Sequence, residues 1–424
     1  MSRKTLASSR LHWLDMLRGL CALEIAGLHW LRACMHVGLF TNTNVPESFR
    51  NFIWSYKNNN QGFQMLHNFP SYFLLDSHTN NAAALTNALG FLFGFGWQAV
   101  NVFILLSGFS LTLKLTDWPD KAKAYWLDWY KRRFRRILLP YYLIVVIVIS
   151  SFCVLYLTIS LLHIPFFDPI QNQLQDRINR DWISILFSNI FLVNPWAPQW
   201  IPTFFTSAWW FIPAILVAYL FFPLYFWLLL KLGTQFFLVS TCLVTVTAYW
   251  LETKNILSAN TWYFVVLLES FNFALGMVIG RCYQKERSRI QLEQLLFNQK
   301  TFLLGILLVF SGDLIGWFTF LYPLSSVAFT CGLMIVGANL SSLLLQVRFV
   351  RQLKKIDFYI LYLIHQPFAY LLALFLSHLL HSYTTFIGIF VYLFVVLSFT
   401  SIFVKTYTLI EKKCALWLHS KNGI

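Results

Sequence analysis

The sequence predicts an all-α fold: a polytopic transmembrane helical bundle of about ten spans with both termini in the cytoplasm. Three observations carry that prediction. Of the 424 residues, 58% are hydrophobic and only 12% charged, with a mean hydropathy of +0.60, whereas a soluble domain carries about 25% charged residues. Apolar stretches of about 20 residues, the length that crosses a bilayer, recur along the chain. The net charge of +15 is not spread evenly but falls in alternate connecting segments. A soluble enzyme, a disordered chain and a disulfide-rich secreted module are thereby excluded.

The predicted spans, in order, are 13–37, 90–113, 137–160, 208–230, 235–251, 262–280, 301–321, 325–345, 358–380 and 384–408. They read as one integral-membrane domain over 1–424, with outer loops at 38–89 and 161–207. A further apolar piece, 183–193, is too short to span and is expected at the interface. With residues 1–12 inside, the cytoplasmic segments hold 25 of the 32 Lys and Arg residues. The outer segments, longer in total, hold six, and Arg18 lies within the first span. Arg32, at the outer end of the first span, is counted as outer, and Lys405, at the fraying end of the last span, as cytoplasmic. That is the positive-inside distribution, so the charge marks topology and calls for no nucleic-acid partner. The first span does not read as a cleaved signal peptide, because Arg18 and Glu24 interrupt its apolar core and no small-x-small cleavage site follows.

Seven cysteines, an odd number with no Cys-x-x-Cys, are expected to be buried structural thiols, and no metal site is evident. The outer loops interleave polar amides with aromatic rings, as in the FTNTN and KNNNQ runs. Such segments suit a carbohydrate, and they suit equally well loops that merely cap the bundle.

Ionisable residues inside spans are costly and point to function. In the first span, LDMLRGLCALEIAGLHW, Arg18 and His29 are eleven residues apart. On a helix that leaves them ~20° apart around the axis and ~16 Å along it. A cation near the cytoplasmic end thus shares a face with an imidazole roughly half a membrane further out. This alignment suits a long substrate with an anionic head inside, although a core histidine and a snorkelling arginine fit the same positions. Asp15, three residues before Arg18, can hold its guanidinium. Glu24 faces elsewhere, and Glu269, Asn272 and Asp313 read either as a second carboxylate for chemistry or as internal hydrogen-bonding groups.

The run Lys131-Arg132-Arg133-Phe134-Arg135-Arg136 precedes Pro140. Arg133 and Arg136, at i and i+3, fall on one face of a helix entering the membrane. Arginine suits bidentate phosphate binding, while topogenic charge or an anionic-lipid patch is the plainer use. Gly94, Gly96 and Ser107-Gly108 place small residues where helices can pack closely. Tyr362-Leu-Ile-His365-Gln-Pro367 puts a second histidine in a span beside a proline that frees backbone groups.

In order and spacing these pieces resemble the acyltransferase family 3 membrane proteins, which O-acylate cell-surface carbohydrates. LDMLRGLCAL with the later His resembles the family opening, carried here by Arg18 and His29. GWQAVNVFILLSGFSL resembles its second-span signature, with Ala99 for a glycine, Asn101 for the usual Asp and Ile104 for a Phe. RRFRRILLPYY resembles the cytoplasmic R-x-x-R motif through Arg133 and Arg136, and YILYLIHQP the late Y-L-x-H-x-P stretch. The segment AWWFIPAILVAY lacks the carboxylate found in many members.

The resemblance implies a multi-pass protein of the bacterial inner (plasma) membrane. It would take an acyl group, commonly acetyl, from cytoplasmic acyl-CoA as co-substrate and place it on an extracytoplasmic carbohydrate or glycolipid. No bound cofactor is implied. Arg133 and Arg136 would hold CoA phosphates with Arg18 helping. His29 would act as general base on the acceptor hydroxyl or as an acyl-histidine relay. His365 is expected to orient a neighbour rather than to react. A transporter or flippase of a lipid-linked or amphipathic solute is the alternative, though the paired broken helices and acidic coupling residues it would want are not clear.

Overall fold

In the computed structural model the residues described are 11–36, 89–90, 93, 96, 98–162, 190–192, 207–254, 266–316, 321–344, 357–380 and 384–421. Among them ten α-helices and no strand are found. They are α1 (His12–His36), α2 (Ala99–Thr112), α3 (Ala122–Leu162), α4 (Phe211–Thr253) and α5 (Ser270–Gln284). There follow α6 (Glu286–Leu296), α7 (Gln299–Gly316), α8 (Tyr322–Leu344), α9 (Phe358–Leu380) and α10 (Thr384–Lys421). A short 3₁₀ turn, Ser207–Trp210, leads into α4. Nearly all of the outer segments 38–89 and 161–207, and most of the apolar piece 183–193, lie outside the described residues.

Five described helices are long and apolar enough to cross a bilayer, or six if the pair α6 and α7, bent by 71°, counts as one. Helix α1 is long enough, at 25 residues, but carries Asp15, Arg18, Glu24 and Arg32. It can do so because it is the hub of the bundle. It packs against α2, α8, α9 and α10, and Leu17, Cys21, Ala26, Trp30 and Leu31 are fully or almost fully buried along it. Arg18 pairs with Asp15 and with Ser110 of α2, which offsets the cost an ionisable side chain meets within a span.

The 43 residues of α4 would measure ~65 Å as one straight rod, about twice the ~30 Å hydrocarbon core. Gly233, with φ 76 and ψ 170, divides it. The two halves fold back on each other, since the rings of Tyr225 and Phe237 lie 6.0 Å apart where a straight helix would separate those positions by ~18 Å. The predicted break between 230 and 235 falls at this point. Helix α3 runs 41 residues, so its basic N-terminal half continues the span rather than forming a separate loop.

The outer surfaces of α3, α4 and α10 present Val154, Leu161, Phe236, Leu243, Phe390 and Phe394 to the surroundings, an apolar exterior that only a lipid environment stabilises. The cysteine expectation needs correction on the same ground. Cys21 and Cys34 are buried, but Cys153 and Cys242 are exposed and Cys282 and Cys331 half-buried. An apolar position in a membrane helix is satisfied by lipid as readily as by a core.

Helices α2 and α5 touch backbone to backbone. A Cβ added at Gly276 would stand 1.9 Å from Leu105 O, and one at Gly108 2.2 Å from Phe273 O. Gly276 and Gly280 form a small-xxx-small pair, which lets membrane helices approach this closely. Gly96 closes on α1 in the same way, where a Cβ would lie 2.4 Å from Glu24 O.

Candidate active site

A cavity of about 1810 Å³ opens among α1, α2, α3, α5 and α9 at the ends carrying the basic segments. Arg18, Arg133 and Arg136 all line it, although they come from helices more than a hundred residues apart. Arg18 is fixed on both sides. Its Nη1 donates to Asp15 Oδ1 at 3.2 Å, as the i, i+3 spacing predicts, and its Nη2 donates to Ser110 Oγ at 2.5 Å. Arg133 lies over the Trp129 ring, 5.7 Å from its centroid. That ring in turn stacks on Phe222 of α4 at 5.4 Å. The guanidinium is thereby held against an aromatic shelf, a favourable position for a cation.

A fourth cation, Lys114, joins this wall. Partial burial, together with the charges of Arg133, Arg136 and Arg18, holds its ammonium below the ordinary lysine range. Four cations within electrostatic reach of one another repel, and a polyanion would relieve that repulsion. Lys114 was missed in the sequence because it stands alone there, eight residues after Leu106 and well before the basic run.

The inner end of the cavity is largely apolar, with Phe103, Ser107, Phe211, Ile215 and Tyr362. Tyr362 closes it, its Oη donating to the carbonyl oxygen of Ala208. Beyond that ring the two histidines meet. Tyr362 and His365 have ring centroids 5.4 Å apart, and His365 and His29 5.0 Å apart. His29 therefore does not line the cavity itself; Tyr362 and His365 stand between.

The histidine pair is dry and firmly framed. His29 is 7% and His365 1% exposed. His365 Nδ1 lies 2.6 Å from Tyr362 O, so that nitrogen carries the proton and Nε2 keeps its lone pair. Among the described residues His365 Nε2 and His29 Nδ1 are buried without a partner, an uncommon condition for native polar atoms. The frame follows from Pro367. Lacking an N–H, it leaves the carbonyl of Leu363 without its helical donor, and Trp209 Nε1 donates there at 2.8 Å. Ala208 N donates to Gln366 Oε1 at 2.6 Å, and Tyr392 Oη to His365 O at 3.0 Å. The AWW segment thus clamps α9 at the turn that bears His365.

The other polar residues of the spans gather elsewhere, toward the opposite end of α2. Asn272 Nδ2 donates to Glu269 Oε2 and to Ser326 Oγ, both at 2.7 Å. Asn101 Nδ2 donates to the same Ser326 Oγ at 2.8 Å, and Gln98 Nε2 to Ser325 Oγ at 3.1 Å. An amide at 101 suits this network, since a carboxylate there would share one serine with the chain of bonds leading to Glu269. The side chain of Asp313 lies outside the described residues.

A family model described as an acyltransferase domain matches residues 11–405, nearly the whole chain. No curated protein and no solved structure matches it.

Proposed function

The chain belongs to acyltransferase family 3, a membrane acyltransferase, and from that membership we propose that it moves an acyl group, commonly acetyl, from cytoplasmic acyl-CoA to a hydroxyl of an extracytoplasmic carbohydrate or glycolipid. The proposal includes the ten-span frame with both termini inside. The observation that supports it most is the cavity, cationic where a CoA phosphate would enter and apolar where a pantetheine arm would lie.

In this reading Arg133 and Arg136 hold donor phosphates, with Arg18 and Lys114 beside them. Charge-assisted contacts of this kind are the stronger class of hydrogen bond. The thioester reaches the histidine pair once the Tyr362 ring leaves the Ala208 carbonyl. The acceptor hydroxyl attacks the thioester carbon, the C–S bond breaks, and His29 takes the hydroxyl proton and returns it to the departing thiolate. Imidazole suits that task because a ring nitrogen offers a lone pair to the hydroxyl proton.

The test uses purified protein in lipid with labelled acetyl-CoA and candidate glycans. His29→Ala is expected to abolish transfer and leave CoA affinity within about twofold, whereas Arg133→Ala with Arg136→Ala weakens CoA binding tenfold or more, roughly the loss of two charge-assisted contacts. Equal and negligible turnover by wild type and His29→Ala across acyl donors would sink the catalytic reading. Unchanged CoA affinity in the arginine variant would return those residues to topology.

A further inference from the structure

The cavity mouth has a second basic wall that the family motifs do not include. Arg281 sits in the last turn of α5, Lys285 at the junction with α6, and Arg289 in the first turns of α6, and all three line the cavity. The junction itself is extended, with φ −90 and ψ 123 at Lys285, so the three cations are presented around a corner rather than along one helix.

That corner is pinned. Gln284 Nε2 lies within hydrogen-bonding distance of the carbonyls of Thr112, Leu113 and Leu115, at 2.8, 3.2 and 2.9 Å, where the chain leaves α2 and carbonyls lose their helical donors. Arg281 Nη1 donates to Thr116 O at 3.2 Å. Gly280 holds the two helices close, for a Cβ there would lie 2.7 Å from Phe109 O.

Charge and order along the cavity suggest an occupant. Among the described lining residues nine are basic and four acidic. Three of the acids are already engaged: Asp15 with Arg18, Asp357 accepting Tyr359 N at 2.9 Å as the start of α9, and Glu293 Oε1 accepting Tyr283 Oη at 2.5 Å. CoA carries two charges on its pyrophosphate and about 1.5–2 more on its ribose 3′-phosphomonoester at neutral pH. The surplus positive charge is of that size. Arg18 is tied at the level of Ser110 and Arg281 at the level of Thr116, so the Arg281 wall lies further toward the mouth. In CoA the pyrophosphate is likewise nearer the thioester and the 3′-phosphate further from it.

We propose that Arg281, Lys285 and Arg289 form a second phosphate subsite, which takes the 3′-phosphate of the donor while Arg18, Lys114, Arg133 and Arg136 take its pyrophosphate. The inference rests on the acyl-CoA reading above, and the experiment separates the two. Calorimetry on the full chain in lipid nanodiscs compares CoA with dephospho-CoA, which lacks only the 3′-phosphate.

Wild type is expected to prefer CoA by about tenfold, the effect of several partly exposed charge contacts. Arg281→Gln with Lys285→Gln and Arg289→Gln brings that ratio close to one by weakening CoA alone. Lys285→Gln by itself, which leaves most of the cytoplasmic charge for topology, lowers it about threefold. Arg133→Gln with Arg136→Gln weakens both ligands and keeps the ratio. A triple variant that still discriminates, or that loses both ligands equally, overturns the subsite; a lipid-phosphate site would give the first of these results. Wild type that binds CoA without discrimination overturns the subsite alone, and wild type that binds neither ligand overturns the donor reading with it.

Discussion

Gly276 lies where α5 meets α2, and alanine there measures how closely the two backbones touch. The new Cβ would stand 1.9 Å from Leu105 O, 2.8 Å from its carbon and 3.0 Å from Phe109 N. Ordinary contact begins at 3.4 Å, so the helices must part by about 1.5 Å. Every obstacle is backbone, and no rotamer change relieves it. Overpacking costs ~1–3 kcal/mol, here at the upper end, while alanine in place of glycine returns ~1 kcal/mol of helix propensity. The net loss is about 2 kcal/mol, a fall in Tm of roughly 2–4 °C in a chain this long.

Gly305→Ala is the control. Its Cβ would meet side-chain atoms, Ile335 Cγ2 and Cβ and Val336 Cγ2, at 3.0, 3.1 and 3.1 Å, so a shift of a few tenths of an ångström suffices and steric cost and propensity gain nearly cancel. Thermal unfolding of the detergent-purified proteins separates the two variants. Because α2 supplies Ser110 and α5 supplies Arg281 to the cavity, Gly276→Ala also lowers turnover at temperatures where it remains folded. A Gly276→Ala protein as stable as wild type, or a Gly305→Ala protein equally damaged, refutes backbone contact as the reason for glycine at 276.

Three further outcomes are expected. His365→Ala lowers transfer about tenfold to a hundredfold with CoA affinity unchanged, and His365→Gln restores part of it; steady-state rates equal to wild type would leave His365 a packing residue. Trp209→Phe removes the donor to Leu363 O, and a buried unpaired carbonyl costs about 1–3 kcal/mol, so chemical denaturation shows lower stability, whereas an unchanged midpoint would mean that the carbonyl finds another donor. Burial and neighbouring cations hold the Lys114 ammonium below the ordinary lysine range, so its charge costs stability below that lowered pKa, and the cost is relieved as pH rises toward the ordinary lysine range. Lys114→Met therefore raises Tm near neutral pH by a margin that shrinks at alkaline pH. It is also expected to weaken CoA binding and to remove the alkaline decline in CoA affinity expected of wild type. A variant less stable at neutral pH, or one with the wild-type alkaline decline, would contradict this account.

The features that depend on local spacing were legible without coordinates. The contact between Asp15 and Arg18, the shared face of Arg133 and Arg136, the break near Gly233 and the release of a carbonyl by Pro367 all follow from helix geometry within a few residues. The Gly276–Gly280 pair carried a readable signal that the motif-based reading passed over. Lys285 and Arg289 were visible only as topogenic charge, because nothing in their own segment says that α5 ends against α2.

By itself, then, the sequence determined a helical membrane protein of acyltransferase family 3 and named Arg18, His29, Arg133 and Arg136, because hydropathy, charge asymmetry and helical period are properties of neighbouring residues. Only the tertiary structure decided that Arg18 and Arg133 share a cavity with Lys114 and Arg281, and that His365 rather than the cavity is what His29 meets. Those partners are separated by tens to hundreds of residues, and it is the buried packing of α1 among its neighbours that brings them within a few ångströms.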